Sequence, residues 1–408
     1  MVRRGIEKKQ KKKAQKTLVP NAPSASSSSP PAKLPGAAYW RKLNPALHCG
    51  DSAYVARASA SVMQLPADTL ASLKARMRDE GFFTLEDLPW PPALVRSLRV
   101  GVRRLLKRGW PATLLLVYDE AWVMAHQISA LMAAVSGGCA NSLDTLAWSV
   151  TPSLGQTGFA PHRDRQPADV PASFRADGTP RYATCWVALS HATTDNSCLY
   201  LVPRARDPGY DAGDDHRADA EDPLLKIFRA SDAAVQSVRA CPLKPGGCVI
   251  FTHRAMHWGS IGQPACERPR VSISFGHSDP SFEAPFLRDT ASQLPYPPVK
   301  VRVALAAAQL INYHERFAFG VPLLRRLGAT FKARKKAFTP EYAEKTAAEF
   351  MAACHDKRRS DDAREGGGAG GGDSDDDDDD ALDDALEAML DAQANATGNL
   401  YDDYDEDD

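Results

Sequence analysis

In Pro-His-Arg-Asp at 161–164, His162 and Asp164 stand two residues apart, so on an extended strand both side chains leave from one face and can reach one ion. Further along, the apolar run Gly-Cys-Val-Ile-Phe at 247–251 leads to two histidines, His253 and His257. Two imidazoles and one carboxylate form the facial ligand set of non-heme iron(II), which leaves coordination positions open. Those positions suit 2-oxoglutarate, bound through its keto-acid end, and dioxygen. Arg268 and Arg270 follow, and an arginine on a strand can grip the distal carboxylate of such a co-substrate through paired charge-assisted hydrogen bonds. The two arginines share a face if the strand is regular, and Ser272 lies on that face as well. A second His-x-Asp, His277 with Asp279, has only His314 and His355 downstream, both in helical stretches.

These residues need a scaffold of short strands, and the texture of the chain supplies one from about Leu143. The runs 144–152, 182–190, 198–203, 235–243, 247–253 and 270–277 are β-prone and separated by Gly, Pro, Asp and Asn. Six such runs predict a sandwich or jelly roll rather than a parallel α/β sheet. Before them, 66–80 has helical apolar spacing with Gly81 as its stop, and 120–134 is rich in Ala, Met and Leu. After Pro280 the chain turns helical again over 301–317 and 340–354, with a basic stretch, RRLGATFKARKKAF, between them. The acidic and polar segment 204–231 reads as a long loop inserted between core strands, where lids often lie.

With these parts in order, residues 65–278 resemble the phytanoyl-CoA dioxygenase type of iron(II)/2-oxoglutarate oxygenases. MRDEGFFTLEDL at 77–88 looks like the opening helix and strand of that family, and PHRD matches its His-x-Asp. CWVALSHATTDNSCLYLVP at 185–203 is similar to its strand, Asn-containing turn and strand. LKPGGCVIFTHRAMHWGS at 243–260 resembles the glycine turn, strand and distal histidine, and RPRVSISF at 268–275 the Arg-x-Ser strand. The chain departs from the family at 203–206, where Pro203 is kept but Arg204, Ala205 and Arg206 replace Gly-Ser-His, near the substrate entrance.

The resemblance implies an α+β fold with a double-stranded β-helix (cupin-like jelly roll) core flanked by helices. It implies iron(II) held by His162, Asp164 and His257 rather than His253, with 2-oxoglutarate on Arg270 and Ser272. Arg268, Gln156, Trp186 and Asn196 are further candidates for the co-substrate pocket, with Trp148 as a lining residue and Tyr200 as a nearby hydroxyl. The implied reaction hydroxylates a C–H bond of a small organic molecule and releases succinate and carbon dioxide. Asp164 stands where related halogenases carry a small residue, which favours hydroxylation over halogenation.

The near-neutral formal charge of -1 conceals segregation. Residues 1–17 hold eight Lys or Arg against one Glu, and 373–408 hold seventeen Asp or Glu and no Lys or Arg, which leaves 42 basic and 33 acidic residues between them. The expected organisation is a disordered basic arm (1–37), an oxygenase domain (38–330, with its β core at about 143–278), a C-terminal helix (331–360) and a disordered glycine-rich and acidic tail (361–408). Within that tail, 381–392 has helical apolar spacing and can fold on a basic partner. The lysine cluster at 8–13 suggests nuclear targeting or contact with nucleic acid, against the alternative of a solvated arm. No run is long enough to cross a bilayer and no secretory leader is evident, so an intracellular site, nucleus or cytoplasm with an organelle left open, is expected. The eight scattered cysteines lack a CxxC and read as reduced thiols. Two other functions compete: an oxygenase acting on a basic protein or nucleic acid, and a non-catalytic protein that captures basic partners with its tail.

Overall fold

The computed structural model describes residues 33–365 apart from 61, 166–170, 215–220, 231–232, 289–295 and 318. The lysine-rich arm before 33 and the glycine-rich and acidic segment from 366, with its helical spacing at 381–392, lie outside the described residues.

The chain is a mixture of helix and sheet. Three helices open the described residues, α1 (Ala37–Leu43), α2 (Ser52–Ala58) and α3 (Ala67–Asp79), the last burying Leu73 and Met77 before Gly81 turns the chain into β1 (Phe82–Leu85). Next comes α4 (Leu94–Lys107), a helix unremarked in the sequence although Leu94, Leu98, Val102 and Leu105 repeat at helical spacing and are buried. A 3-10 turn (Ala112–Val117) leads to α5 (Asp119–Ser136). The strands β2 (Ala140–Val150), β3 (Tyr182–Ala188) and β4 (Leu199–Leu201) follow.

The segment expected as a loop at 204–231 instead contains a 3-10 turn and the short helices α6 (Gly209–Ala212) and α7 (Pro223–Ala230). Likewise only Arg239–Cys241 of the run 235–243 is extended, as β5, because Ala233–Ser237 coils into α8 with Ala234 buried. β6 (Cys248–Thr252), β7 (His257–Gly259) and β8 (Arg270–Ser278) complete the strands, and α9 (Val299–Asn312), α10 (Val321–Lys332) and α11 (Pro340–Glu365) close the described chain. The basic stretch after 324 is thus largely helical, with Leu324, Leu327 and Phe331 buried beneath its charges.

Five strands form one antiparallel sheet in the order β1-β6-β3-β8-β2, and three form a second in the order β5-β4-β7. Alternation along the larger sheet decides what each face does. Cys185, Val187, Ile250, Ile273 and Phe275 join the main apolar cluster with α4, α5 and α9. Each such side chain contributes about 1.5–3 kcal/mol when fully buried, which is why helices cover this face. Thr184, Trp186, Phe251, Ser272 and Ser274 point the opposite way and line a cavity of about 240 Å³ that Leu199 and His257 of the smaller sheet also line. An isolated antiparallel bridge between His162 and His257 adds the 158–162 segment to the edge of the smaller sheet. All eight cysteines are free, as their spacing suggested, and no helix among the described residues is long and apolar enough to cross a membrane.

Candidate active site

The antiparallel bridge is what brings the three proposed ligands together. His162 and His257 exchange backbone hydrogen bonds, each 3.0 Å, so their rings lie side by side with centroids 4.2 Å apart. Asp164, two residues on, turns the same way: its Oδ1 is 3.6 Å from His162 Nε2 and 3.5 Å from His257 Nε2. Each imidazole points its Nδ1 at a backbone carbonyl two residues earlier, Ala160 at 2.7 Å and Ala255 at 3.0 Å. An Nδ1–H donated there leaves both Nε2 lone pairs facing the carboxylate. One ligand atom from each residue lies within 4.8 Å of the others, close enough for a single ion about 2.0–2.2 Å from all three. Two imidazole nitrogens and one carboxylate are the donor set that iron(II) takes, so the residues fit the metal.

Burial favours the neutral form of Asp164, but the two imidazoles and the Thr184 hydroxyl outweigh it and hold the carboxyl well below the usual range. Burial, then the neighbouring His162, pushes His257 down to about 4. Asp164 is therefore an ionised carboxylate facing His257, whose imidazole burial keeps neutral at pH 7, a form in which both can ligate a metal.

Other side chains hold this geometry. Thr184 on β3 donates to Asp164 Oδ2. Arg163, between the two ligands, points the opposite way and is fully buried, paired with Asp207 at 2.5 Å and Asp214 at 2.7 Å and donating to the Arg254 carbonyl. Arg254 in turn donates to the carbonyls of Gly209 and Tyr210. The start of the inserted segment, expected as a long loop where lids often lie, is thus fastened to the back of the metal strand.

A bulge in β2 between Asn141 and Thr145 puts Leu143 at a φ of 72 and contains Asp144, which lines the cavity and takes hydrogen bonds from Arg165, Tyr182, Tyr313 and Gln309. The Asn141 side chain and Gln309 bond the two sides of Leu143 and hold it in place.

The 158–162 segment sits unusually close to β7. A Cβ on Gly158 would meet Gly259 Cα at 2.5 Å, a backbone contact that cannot give way by rotamer change. Gly158→Ala is expected to part the strands beside His162, at a cost of about 1–3 kcal/mol, and to weaken Mn(II) or Fe(II) binding with the fall in Tm. Calorimetry with and without metal checks this, and an unchanged Tm and affinity would show that the approach is dispensable.

Along β8, Arg270 is 3% exposed, donates from Nη1 to Ser272 Oγ at 2.8 Å and lies 5.3 Å from the Trp186 ring. Burial pushes it down to about 10, which leaves it a cation at neutral pH, and its Nε is buried without an acceptor among the described residues. Arg270, Ser272, Trp186 and Trp148 all line the cavity. Arg268 does not: β8 begins at Arg270, and Arg268 is exposed ahead of it. Gln156 is also outside the lining and accepts from the Thr151 N–H. Asn196 is buried but caps a turn, accepting from the Thr193 N–H and donating to the His191 carbonyl. Tyr200 stacks on Trp258, away from the cavity lining.

The competing histidines are placed elsewhere. His253 points Nδ1 at the Tyr182 carbonyl and packs against Phe174 and Phe282, and burial pushes it down to about 3. His277 is buried, while Asp279 pairs with Arg175 and Arg181, so this second His-x-Asp joins no ligand cluster among the described residues. Sequence reasoning passed over Thr184, Arg163, Asp144, Arg165, Tyr313, Phe159 and Arg316. Only two carried a usable signal: Thr184 alternates with Trp186 on one strand, and Arg163 must face away from the ligands that flank it.

Residues 118–260 match the family model described as phytanoyl-CoA dioxygenase (PhyH). No curated protein gives a significant match to the chain. Among solved structures, the chain is similar to the epimerase SnoN in complex with Fe3+, alpha ketoglutarate and nogalamycin RO, at 20% identity over 52% of this chain and 85% of that one, with a TM-score of 0.40. It is similar also to AviO1 from Streptomyces viridochromogenes Tue57, at 20% identity over 52% and 95%, TM-score 0.38. A third likeness is to EctD from S. alaskensis in its apoform, at 16% identity over 54% and 81%, TM-score 0.36.

Proposed function

From the premise that residues 118–260 form a domain of the phytanoyl-CoA dioxygenase family, enzymes that use iron and 2-oxoglutarate, we propose that this protein hydroxylates a C–H bond of a small organic substrate. The strand arrangement supports a double-stranded β-helix as its core, with the metal site between the two sheets. In the overall reaction, substrate, dioxygen and 2-oxoglutarate give the hydroxylated product, succinate and carbon dioxide, one oxygen atom going to the hydroxyl and the other to succinate. Bound iron(II) supplies the oxidising chemistry.

The protein's part is to bind, orient and exclude water. His162, Asp164 and His257 would hold the ion, with Thr184 fixing the carboxylate and two backbone carbonyls fixing the imidazoles. Arg270 would take the distal carboxylate of 2-oxoglutarate, its Nη1 steadied by Ser272 and its Nε free to donate. Trp186 and Leu199 line the cavity with it. The observation that carries this reading is the pairing of a convergent two-histidine, one-carboxylate cluster with a buried, under-bonded arginine in one cavity. The cavity, about 240 Å³, has room for part of a small organic molecule beside the metal ligands.

The test is succinate release from 2-oxoglutarate by anaerobically iron-loaded protein after air is admitted. Arg270→Gln is expected to raise the 2-oxoglutarate KM by roughly tenfold to a hundredfold, the loss of charged hydrogen bonds to a carboxylate, while iron affinity stays the same. Equal 2-oxoglutarate affinity in wild type and variant would remove Arg270 from this role. Failure of wild type to bind both iron and 2-oxoglutarate would overturn the oxygenase reading.

A further inference from the structure

Among the described residues four arginines border the cavity, Arg163 with its guanidinium turned away from it, and three are accounted for. Arg163 is clamped by Asp207 and Asp214, Arg165 by Asp144 and Glu283, and Arg270 faces the position proposed for the co-substrate. The fourth, Arg316, lies outside the family-matched segment, in the 3-10 turn His314–Arg316 after α9. Its guanidinium makes no hydrogen bond or ion pair with the described residues and rests 5.1 Å from the centre of the Phe159 ring.

The root of this side chain is well held. The Arg316 N–H donates to the Tyr313 carbonyl, and the Tyr313 hydroxyl donates to Asp144 in the cavity wall. On the other side, Phe317 packs on Trp148 with ring centres 4.4 Å apart. Phe159 in turn touches Trp148 at 4.7 Å and the ring of His162 at 5.9 Å. Arg316 is thus a half-buried cation rooted in a held turn, one phenyl ring away from a candidate metal ligand. In the same cavity lining, the Trp148 indole Nε1 is buried with no acceptor among the described residues.

An arginine presents a planar fork of donors matched to carboxylate and phosphate oxygens, and one left without such a partner at a cavity wall is a recognition element in waiting. The co-substrate does not require it: a divalent ion, Asp164, a dianionic keto acid and Arg270 already balance in charge. We propose that the substrate carries an oxyanion group, a carboxylate or a phosphate, that Arg316 binds with Trp148 as a second donor. This assignment rests on the oxygenase reading and names the substrate class for it. The substrate is then a small acid whose oxidised carbon lies within the same cavity as its anionic end.

The experiment titrates benzoate, phenyl phosphate and neutral benzamide into anaerobic protein loaded with iron(II) and 2-oxoglutarate, with binding read by ligand-observed NMR. At least one acid is expected to bind more tightly than benzamide, and whether benzoate or phenyl phosphate is preferred tells carboxylate from phosphate. Arg316→Gln is expected to weaken the acids by roughly tenfold to a hundredfold, to the level of benzamide. Arg316→Lys should restore part of the difference, and Trp148→Phe should weaken the acids severalfold while sparing benzamide. The affinity for 2-oxoglutarate should be the same in wild type and Arg316→Gln. Acids that bind no better than benzamide, or that bind Arg316→Gln as well as wild type, overturn the proposal. So does a loss of 2-oxoglutarate affinity in Arg316→Gln, which would assign the cation to the co-substrate. If instead wild type fails to take up 2-oxoglutarate at all, the oxygenase reading falls, a result distinct from lost acid preference with 2-oxoglutarate binding intact.

Discussion

Asp164→Ala is expected to lose metal-dependent succinate formation by at least about a thousandfold, since the carboxylate is the one anionic donor in the cluster and contributes several kcal/mol to holding the ion. The effect should be confined to the site. In the metal-free protein Asp164 is a partly buried carboxylate held by two imidazoles and the Thr184 hydroxyl, so its removal takes away a partly desolvated charge along with those contacts. Far-UV circular dichroism and the Tm of the metal-free variant should therefore stay near wild type while Fe(II) binding is lost. Thr184→Val provides the graded comparison. It keeps all three ligands and removes only the hydrogen bond that orients one, a change that typically costs ten- to a hundredfold in metal affinity or activity. If Asp164→Ala keeps wild-type metal affinity, His162 and His257 are not completed by this carboxylate and the site must be sought elsewhere.

Arg163→Ala is expected to produce the largest loss of stability. Its guanidinium is wholly buried between Asp207, also wholly buried, and Asp214, 4% exposed. Removing it leaves two carboxylates out of water without their counter-ion, at about 3–5 kcal/mol, a fall in Tm on the order of 10 °C for a domain of this size. Methionine in place of Arg163 combined with Asp207→Asn and Asp214→Asn should recover much of that loss, because the cost arises from unpaired charge rather than from lost volume. Thermal unfolding of the single and combined variants checks this. A single variant with unchanged Tm would show that the inserted segment is held by Arg254 and its carbonyl contacts alone.

The two predictions separate parts of one four-residue motif. His162 and Asp164 face the cavity, and Arg163 between them faces the fold, so adjacent residues serve chemistry and anchoring through the two-residue period of an extended chain. This also explains why the segment after β4 is not a free lid at its start. Whatever motion accompanies substrate entry has to leave the Arg163 and Arg254 contacts intact or break a buried ion pair.

Much of this was legible in the residues alone. A period of two is local, so the shared face of His162 and Asp164, and that of Arg270 and Ser272, follows from extended backbone whatever surrounds it. The β-prone runs were also local, because alternating apolar residues bounded by turn formers need no distant partner to be recognised. Where a run contained Ala-Ala-Val-Gln-Ser at 233–237, the same composition suited a helix, and burial of Ala234 decided for it. The helix α4 was readable from its spacing of Leu94, Leu98, Val102 and Leu105 and passed unnoticed beside a basic surface.

What only the tertiary structure decided is which distant residues meet. His253 and His257 are four apart and chemically alike, but β6 ends at Thr252 and β7 starts at His257, so the turn between them sends one ring toward Tyr182 and the other to His162. Arg268 and Arg270 would share a face on a longer strand, and the point at which β8 begins leaves one outside. Thr184, Phe159 and Arg316 belong to a strand, a loop and a turn far apart in the chain, and none carries a local pattern that pairs it with Asp164 or with the cavity. Their placement depends on strand register and on how α9 packs, both set by burial of side chains from the whole chain at once. Local periodicity therefore determined the donors, and long-range packing determined the site.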